Sequence, residues 1–213
     1  MKLTQRIGFA VLAAAVVAVG AGCGSDDSDT PADVATTAAP DVSAPPSNVR
    51  WQDYQTIALP VADQGPKTNS GSGPVSGFTH DPQGAALAAI QQTVRLSVAP
   101  DHQWPGVVAA GVAPGPARDD FAISRQLLSF TAPPAPTEAP KIVGYEVSDY
   151  NADNAAVTVY SAFPDQSFAA SQVKVVWSGE DWKLLLPGDD ETSGRVSSVD
   201  GLPSSAIALA ANR

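Results

Sequence analysis

The spacing of apolar residues changes period once along this chain, and a run of prolines marks the change. Leu87, Ile90, Val94 and Val98 recur at three, four and four residues, the repeat of one buried helical face. Pro133, Pro134, Pro136 and Pro140 then forbid regular structure, because each lacks an amide donor and fixes its own φ. Beyond them the pattern alternates through Val143, Tyr145 and Val147, through Val157 and Val159, through Val173, Val175 and Trp177, and through Trp182, Leu184 and Leu186. That is the period of strands with one covered face. A helical half followed by a strand half predicts an α+β domain whose N-terminal helices pack on a curved antiparallel sheet.

Local signals refine this outline. Phe78-Thr79-His80-Asp81-Pro82 reads as the start of the first helix: Asp81 caps exposed backbone amides, and Pro82 suits the first helical position. Ala85, Ala88 and Ala89 keep much of that helix small, so it can lie close to a neighbour. Pro100 ends it. Residues 104–113 are expected to form a second short helix, and residues 119–130 a third with Ile123, Leu127 and Phe130 on one stripe. Asn151 to Asn154 read as the turn of one hairpin, and Ser178-Gly179-Glu180-Asp181 as the turn of another. Before the first helix, only Trp51 and a short apolar stretch from Ile57 to Val61 precede a Gly, Pro and Ser-rich loop that runs through Gly77. The tail from Asp189 is polar and is expected to pack only through Ile207 and Leu209. There is no internal repeat.

The N-terminus reads as an address. Lys2 and Arg6, an apolar run over residues 7–19 and Gly20-Ala21-Gly22 have the three parts of an export signal. The run falls short of the roughly 18–20 residues needed to span a bilayer, so residues 1–22 are expected to be removed. Cys23 follows as the one cysteine of the chain, which excludes an intrachain disulfide. The ending Val-Gly-Ala-Gly-Cys resembles the lipobox of bacterial lipoproteins, although Gly20 stands where that motif usually carries an aliphatic residue. The resemblance implies a lipid-modified Cys23, with diacylglycerol and palmitate-type chains holding the protein to the outer face of the cell membrane. An ordinary cleaved signal with an incidental cysteine is the alternative.

Residues 23–50 carry Gly, Ser, Asp, Thr, Pro and Ala with almost no large apolar side chain, and are expected to be a disordered tether. Residues 51–213 are long enough for one domain with a real core. Of 12 basic and 22 acidic residues, Lys2 and Arg6 leave with the leader, so the remainder carries about −12. Nucleic acid and anionic lipid surfaces are therefore poor partners, since both require a basic footprint.

A second resemblance rests on Trp51, Leu59-Pro60-Val61, Gly65-Pro66, Gly77-Phe78, His80, Pro82, Gly84 to Ala89 and Arg95, together with the late Val-Val-Trp-Ser-Gly-Glu-Asp-Trp-Lys-Leu stretch. These residues, within 51–95 and 173–187, resemble a domain of unknown function from actinobacterial lipoproteins, phages and conjugative elements. The resemblance implies an envelope-associated domain, in some relatives linked to DNA-transfer machinery with cone-like subunits, and carries over no activity. The order of elements is similar to the cystatin-like cone of nuclear transport factor two.

Catalytic signals are sparse. His80 and His102 are the only histidines, and general acid–base chemistry at neutral pH leans on that residue type. His80, beside Asp81, is the better candidate, although packing at the start of the helix is the favoured reading. His102 reads as an exposed loop residue. No G-x-S-x-G elbow, Walker loop, G-x-G-x-x-G or H-E-x-x-H occurs. No metal site and no cofactor are expected, and Asp26-Asp27-Ser28-Asp29 reads as solvated spacer. Trp177 and Trp182 flank a hairpin turn and join His80 as candidate ligand or partner residues, with sheet packing the usual role for such a pair. Trp51, Tyr54 and Trp104 read as core, and Arg95 and Arg125 as solvated helix residues. The combined expectation is a membrane-anchored, non-catalytic binding or assembly module in an envelope complex. A carrier of a hydrophobic small molecule, with Leu87 and Ile90 lining its pocket, and a His80-dependent enzyme are the alternatives.

Overall fold

Asp81 and Pro82 start the longest helix among the described residues as their chemistry requires. In the computed structural model, which describes residues 39–188 and 195–209, Asp81 is extended (φ −147°, ψ 170°) and its carboxylate accepts the Gly84 amide at 2.6 Å. The leader, Cys23 and most of the expected tether lie outside the described residues.

The chain first forms two small hairpins, β1 (Arg50–Tyr54) with β2 (Ile57–Val61), and β3 (Thr68–Asn69) with β4 (Val75–Ser76). These were not expected, because the turn between β1 and β2 uses Gln55 and Thr56, both at positive φ, rather than the Asn-Gly or Gly pairs that mark such turns in sequence. Next come α1 (Pro82–Val98), α2 (Trp104–Gly111) and α3 (Pro116–Arg125). The strand half follows: β5 (Lys141–Tyr150), β6 (Asn154–Ala162), β7 (Phe168–Trp177), β8 (Trp182–Leu185), β9 (Val196–Val199) and β10 (Ile207–Ala208).

The sheet runs β10-β5-β6-β7-β8, with every paired strand antiparallel, and β9 shares the β8 edge of β7. Val147, Val157 and Val173 stand in register across β5, β6 and β7, so the expected alternation delivers one apolar row. Irregularities between Ile142 and Gly144 and between Val147 and Asp149 interrupt β5, the device by which a strand bends and twists. The fold is thus mixed, with three helices and an antiparallel sheet among the described residues. The tail does more than expected: β9 joins the sheet, β10 pairs with β5, and Leu202 packs where Gly144 leaves no room for a Cβ.

Helix α1 is in contact with β2, α2 and strands β5 to β8. Leu87 and Ile90 are fully buried, but so are Ala85, Ala86, Ala88 and Ala89, so the alanines let α1 be enclosed rather than merely half-covered. Val94 and Val98 pack at the margin of the same core.

Two boundaries differ from expectation. The compact unit begins at Ala39. Gln83 donates to the carbonyls of Asp41 and Ala44, Asn48 donates to Asp63, and Pro46 is buried, so the end of the expected tether is tied to the domain by polar contacts that its composition does not advertise. Helix α3 starts earlier and stops at Arg125, which leaves Leu127 and Phe130 outside the helix and exposed instead of on a covered stripe.

Candidate functional site

One carboxylate fastens the loop before α1 to the β7–β8 turn. Asp181, only 7 % exposed, accepts the amides of Gly77 (2.9 Å), Phe78 (3.0 Å) and its own neighbour Trp182 (3.0 Å). Gly77 is at φ +84°, a conformation that favours glycine, and an added Cβ would meet the Lys67 side chain at 2.9 Å. Gly84 is constrained by space: a Cβ there would sit 2.0 Å from the Thr79 carbonyl. The indole N–H of Trp182 donates to that carbonyl at 3.0 Å.

The three residues that the sequence offered as a binding site meet at this junction. The His80 ring stacks on Trp177 with centroids 3.9 Å apart and planes 8° from parallel, and meets Trp182 edge-on at 5.6 Å. Trp177 and Trp182 are themselves edge-on at 5.4 Å, and Tyr150 leans against Trp182 at 5.9 Å. His80 Nε2 lies on the Ala152 carbonyl, so that nitrogen is the protonated donor, while the His80 carbonyl accepts the Tyr150 hydroxyl at 3.3 Å. Trp182 is wholly buried and belongs to the core; Trp177 is half-buried and His80 exposed. What the arrangement does chemically is lock three chain segments together through aromatic contact. His102 is exposed beside Gln103, in a loop as expected. Leu87 and Ile90 are packed within the core cluster.

Arg95 corrects the expectation of a solvated side chain. It is 1 % exposed, with its guanidinium over the Tyr54 ring at 4.2 Å. Nε donates to Gln91 (3.0 Å), and the two terminal nitrogens donate to the Gly73 carbonyl (2.7 Å) and the Asn69 side chain (3.3 Å). All three acceptors are neutral, and no carboxylate pairs with Arg95 among the described residues. Burial therefore pulls its pKa down to about 10, which still leaves it charged at neutral pH. Gln103 extends the web by accepting the Tyr54 hydroxyl and the Gly73 amide, each at 3.1 Å. The signal was present in the helix repeat, since Gln91 and Arg95 follow Leu87 at steps of four and so share its buried side.

The family model of a domain of unknown function, DUF8175, matches residues 10–204. The chain belongs to that family. No curated protein and no solved structure matches it. The match takes in residues 100–140, so α2, α3 and the proline run are part of the DUF8175 pattern along with the segments that first suggested a resemblance.

Within the DUF8175 domain a second arginine departs from the solvated reading. Arg125 is 3 % exposed and donates to the carbonyls of Ala99 (3.0 Å) and Leu128 (2.9 Å) and to Asp101 (3.0 Å). Its guanidinium lies over Phe130 at 4.4 Å and Trp104 at 5.6 Å. Asp101 also accepts the Phe130 amide and the Ser129 hydroxyl, and these bonds, with that of Arg125, hold its carboxyl below the usual carboxylate range. Around this ion pair the chain displays large apolar side chains: Ile123 is 64 % exposed, Leu127 84 %, Leu128 54 % and Phe130 37 %.

Four buried polar atoms of the described residues lack a partner: Gln92 Nε2, Thr93 Oγ1, Arg125 Nε and the Tyr145 hydroxyl. The Tyr145 hydroxyl makes no hydrogen bond, and burial, with the nearby Asp81 charge, pushes its pKa up. Among the described residues no group of three His, Cys, Asp or Glu side chains could hold a metal ion.

Proposed function

We propose that this protein is an exported lipoprotein, held to the outer face of the cell membrane through an acylated Cys23, whose domain serves as a non-catalytic binding or assembly module in the cell envelope. The observation that carries the reading is the order of the first 23 residues: two basic residues, a short apolar run, small residues and then the one cysteine of the chain. Acylation by diacylglycerol supplies the two chains that stable anchoring needs. No helix among the described residues is long and apolar enough to cross a membrane.

The module reading draws support from how the candidate residues are used. His80, Trp177 and Trp182 tie the start of α1 to the strand half, and the ring nitrogen Nε2 is committed to a backbone carbonyl. We take the helix-and-sheet arrangement, with α1 in contact with β5 to β8 and bulges in β5, as a cone of the nuclear transport factor two type, in an actinobacterial protein. Tethering would raise the local concentration of the domain beside a membrane-bound partner.

Membrane fractionation and fatty-acid labelling of the exported full chain test the reading. The wild-type chain should sediment with membranes and incorporate labelled fatty acid, and Cys23→Ala should incorporate none; equal labelling of Cys23→Ala, or an unlabelled wild-type chain, would refute acyl anchoring.

A further inference from the structure

The exposed apolar residues beyond α3 are displayed by a rigid support. Arg125 and Asp101 fix the backbone of residues 128–130 through the Leu128 carbonyl and the Phe130 amide, while Leu127 and Leu128 are exposed and the partly exposed Phe130 ring packs on the Arg125 guanidinium. Neighbouring large apolar side chains on a soluble surface mark a place where water is excluded by something else.

Two features of the chain say what that is. First, residues 121–137 contain a single charged residue, Arg125, whose charge is buried and paired with Asp101, and the exposed carboxylates Asp119, Asp120 and Glu138 lie just outside that stretch, although the whole chain carries −10. An acidic surface of this kind would be repelled by anionic headgroups, whereas this segment presents no net charge to a lipid surface. Second, the patch lies at the opposite end of α1 from the point where the N-terminal segment arrives. Gln83, in the first turn of α1, holds the Asp41 carbonyl, while Arg125 holds the Ala99 carbonyl just beyond the last turn. The 17 residues of α1 separate those points by about 25 Å. The sixteen-residue step from Cys23 to Ala39 extends to at most about 55 Å, so an acylated Cys23 and the patch can reach one membrane together.

We infer that Ile123, Leu127, Leu128 and Phe130 form a second membrane contact that rests in the headgroup region of the bilayer carrying the acyl anchor. The inference rests on the anchored reading above. The lipid chains hold the protein to the membrane; the patch orients the domain upon it, with α1 rising from the surface.

The test uses the full chain, exported with its leader in a bacterium that acylates lipoproteins, carrying Leu127→p-benzoylphenylalanine, or Leu128→p-benzoylphenylalanine as an independent second position. Gln172→p-benzoylphenylalanine, exposed on β7, is the control. Membranes are separated first, and the membrane-bound chain is then irradiated and its adducts weighed. Lipid adducts at 127 and 128 should exceed those at 172 about tenfold, the difference expected between side chains seated in the interface and one held in water. Protein adducts at 127, or none above the control, would overturn the membrane contact while leaving the anchor intact. A wild-type chain absent from the membrane fraction would overturn the anchored reading itself, and the contact with it.

Discussion

Two arginines, almost equally buried, do different work in this protein. Arg95 lies inside, meets only neutral acceptors and the Tyr54 ring, and draws the 69–73 loop onto α1. Arg125 lies at the rim, meets the Asp101 carboxylate, and braces a turn whose apolar side chains face outward. The difference teaches that burial of a charge does not by itself indicate its role. A guanidinium with five donors can knit backbone carbonyls from separate segments, and the segments it knits determine whether the result is core or display.

The comparison breaks most readily at Arg95. Arg95→Ala removes a large buried side chain and strands the Gly73 carbonyl, so it should cost about 3 kcal/mol in urea unfolding. Arg95→Met, which keeps volume but no donors, should recover part of that loss. Arg125→Ala should cost less, about 2 kcal/mol, because Asp101 and Leu128, two of the three groups it releases, lie near water and only the Ala99 carbonyl is left buried. Equal losses would mean that the two sites are energetically alike.

Smaller effects sharpen the contrast. His80→Ala should remove the stack on Trp177 and cost about 1 kcal/mol. Acid should loosen the Arg125 turn selectively: the Asp101 pKa is depressed in the fold, so its contribution is fully present above the unfolded value of about 4 and is lost as pH falls through the lower folded value. The protection factor of the Phe130 amide, corrected for the intrinsic exchange rate at each pH, should therefore fall in acid, and Asp101→Asn should abolish that dependence. Leu127→Asp should change stability by no more than about 0.5 kcal/mol, since an exposed side chain that packs against nothing contributes little. A large loss there would show that the patch is part of the fold and not a display.

The strand half was legible because β-branched residues alternate between recognisable turns, and the register of Val147, Val157 and Val173 follows from that alternation. Helix α1 was legible from its cap and its repeat. What escaped was set by tertiary contact. The β1–β2 turn carries no glycine or asparagine, and the bracing of residues 128–130 depends on Asp101, far away in sequence. His80, Trp177 and Trp182 were each visible as unusual residues, but their meeting required Asp181 to bring the loop at Gly77 to the second hairpin. Arg95 was misjudged because a charged residue on a helix is usually solvated, although its step of four from Gln91 pointed inward.

The most direct measurement for the anchored module is the intact mass of the full chain after extraction from membranes of the exporting cell. The account predicts a chain beginning at Cys23 whose mass carries a diacylglycerol adduct that disappears in Cys23→Ala. A chain beginning elsewhere, or one with unmodified Cys23, would contradict it.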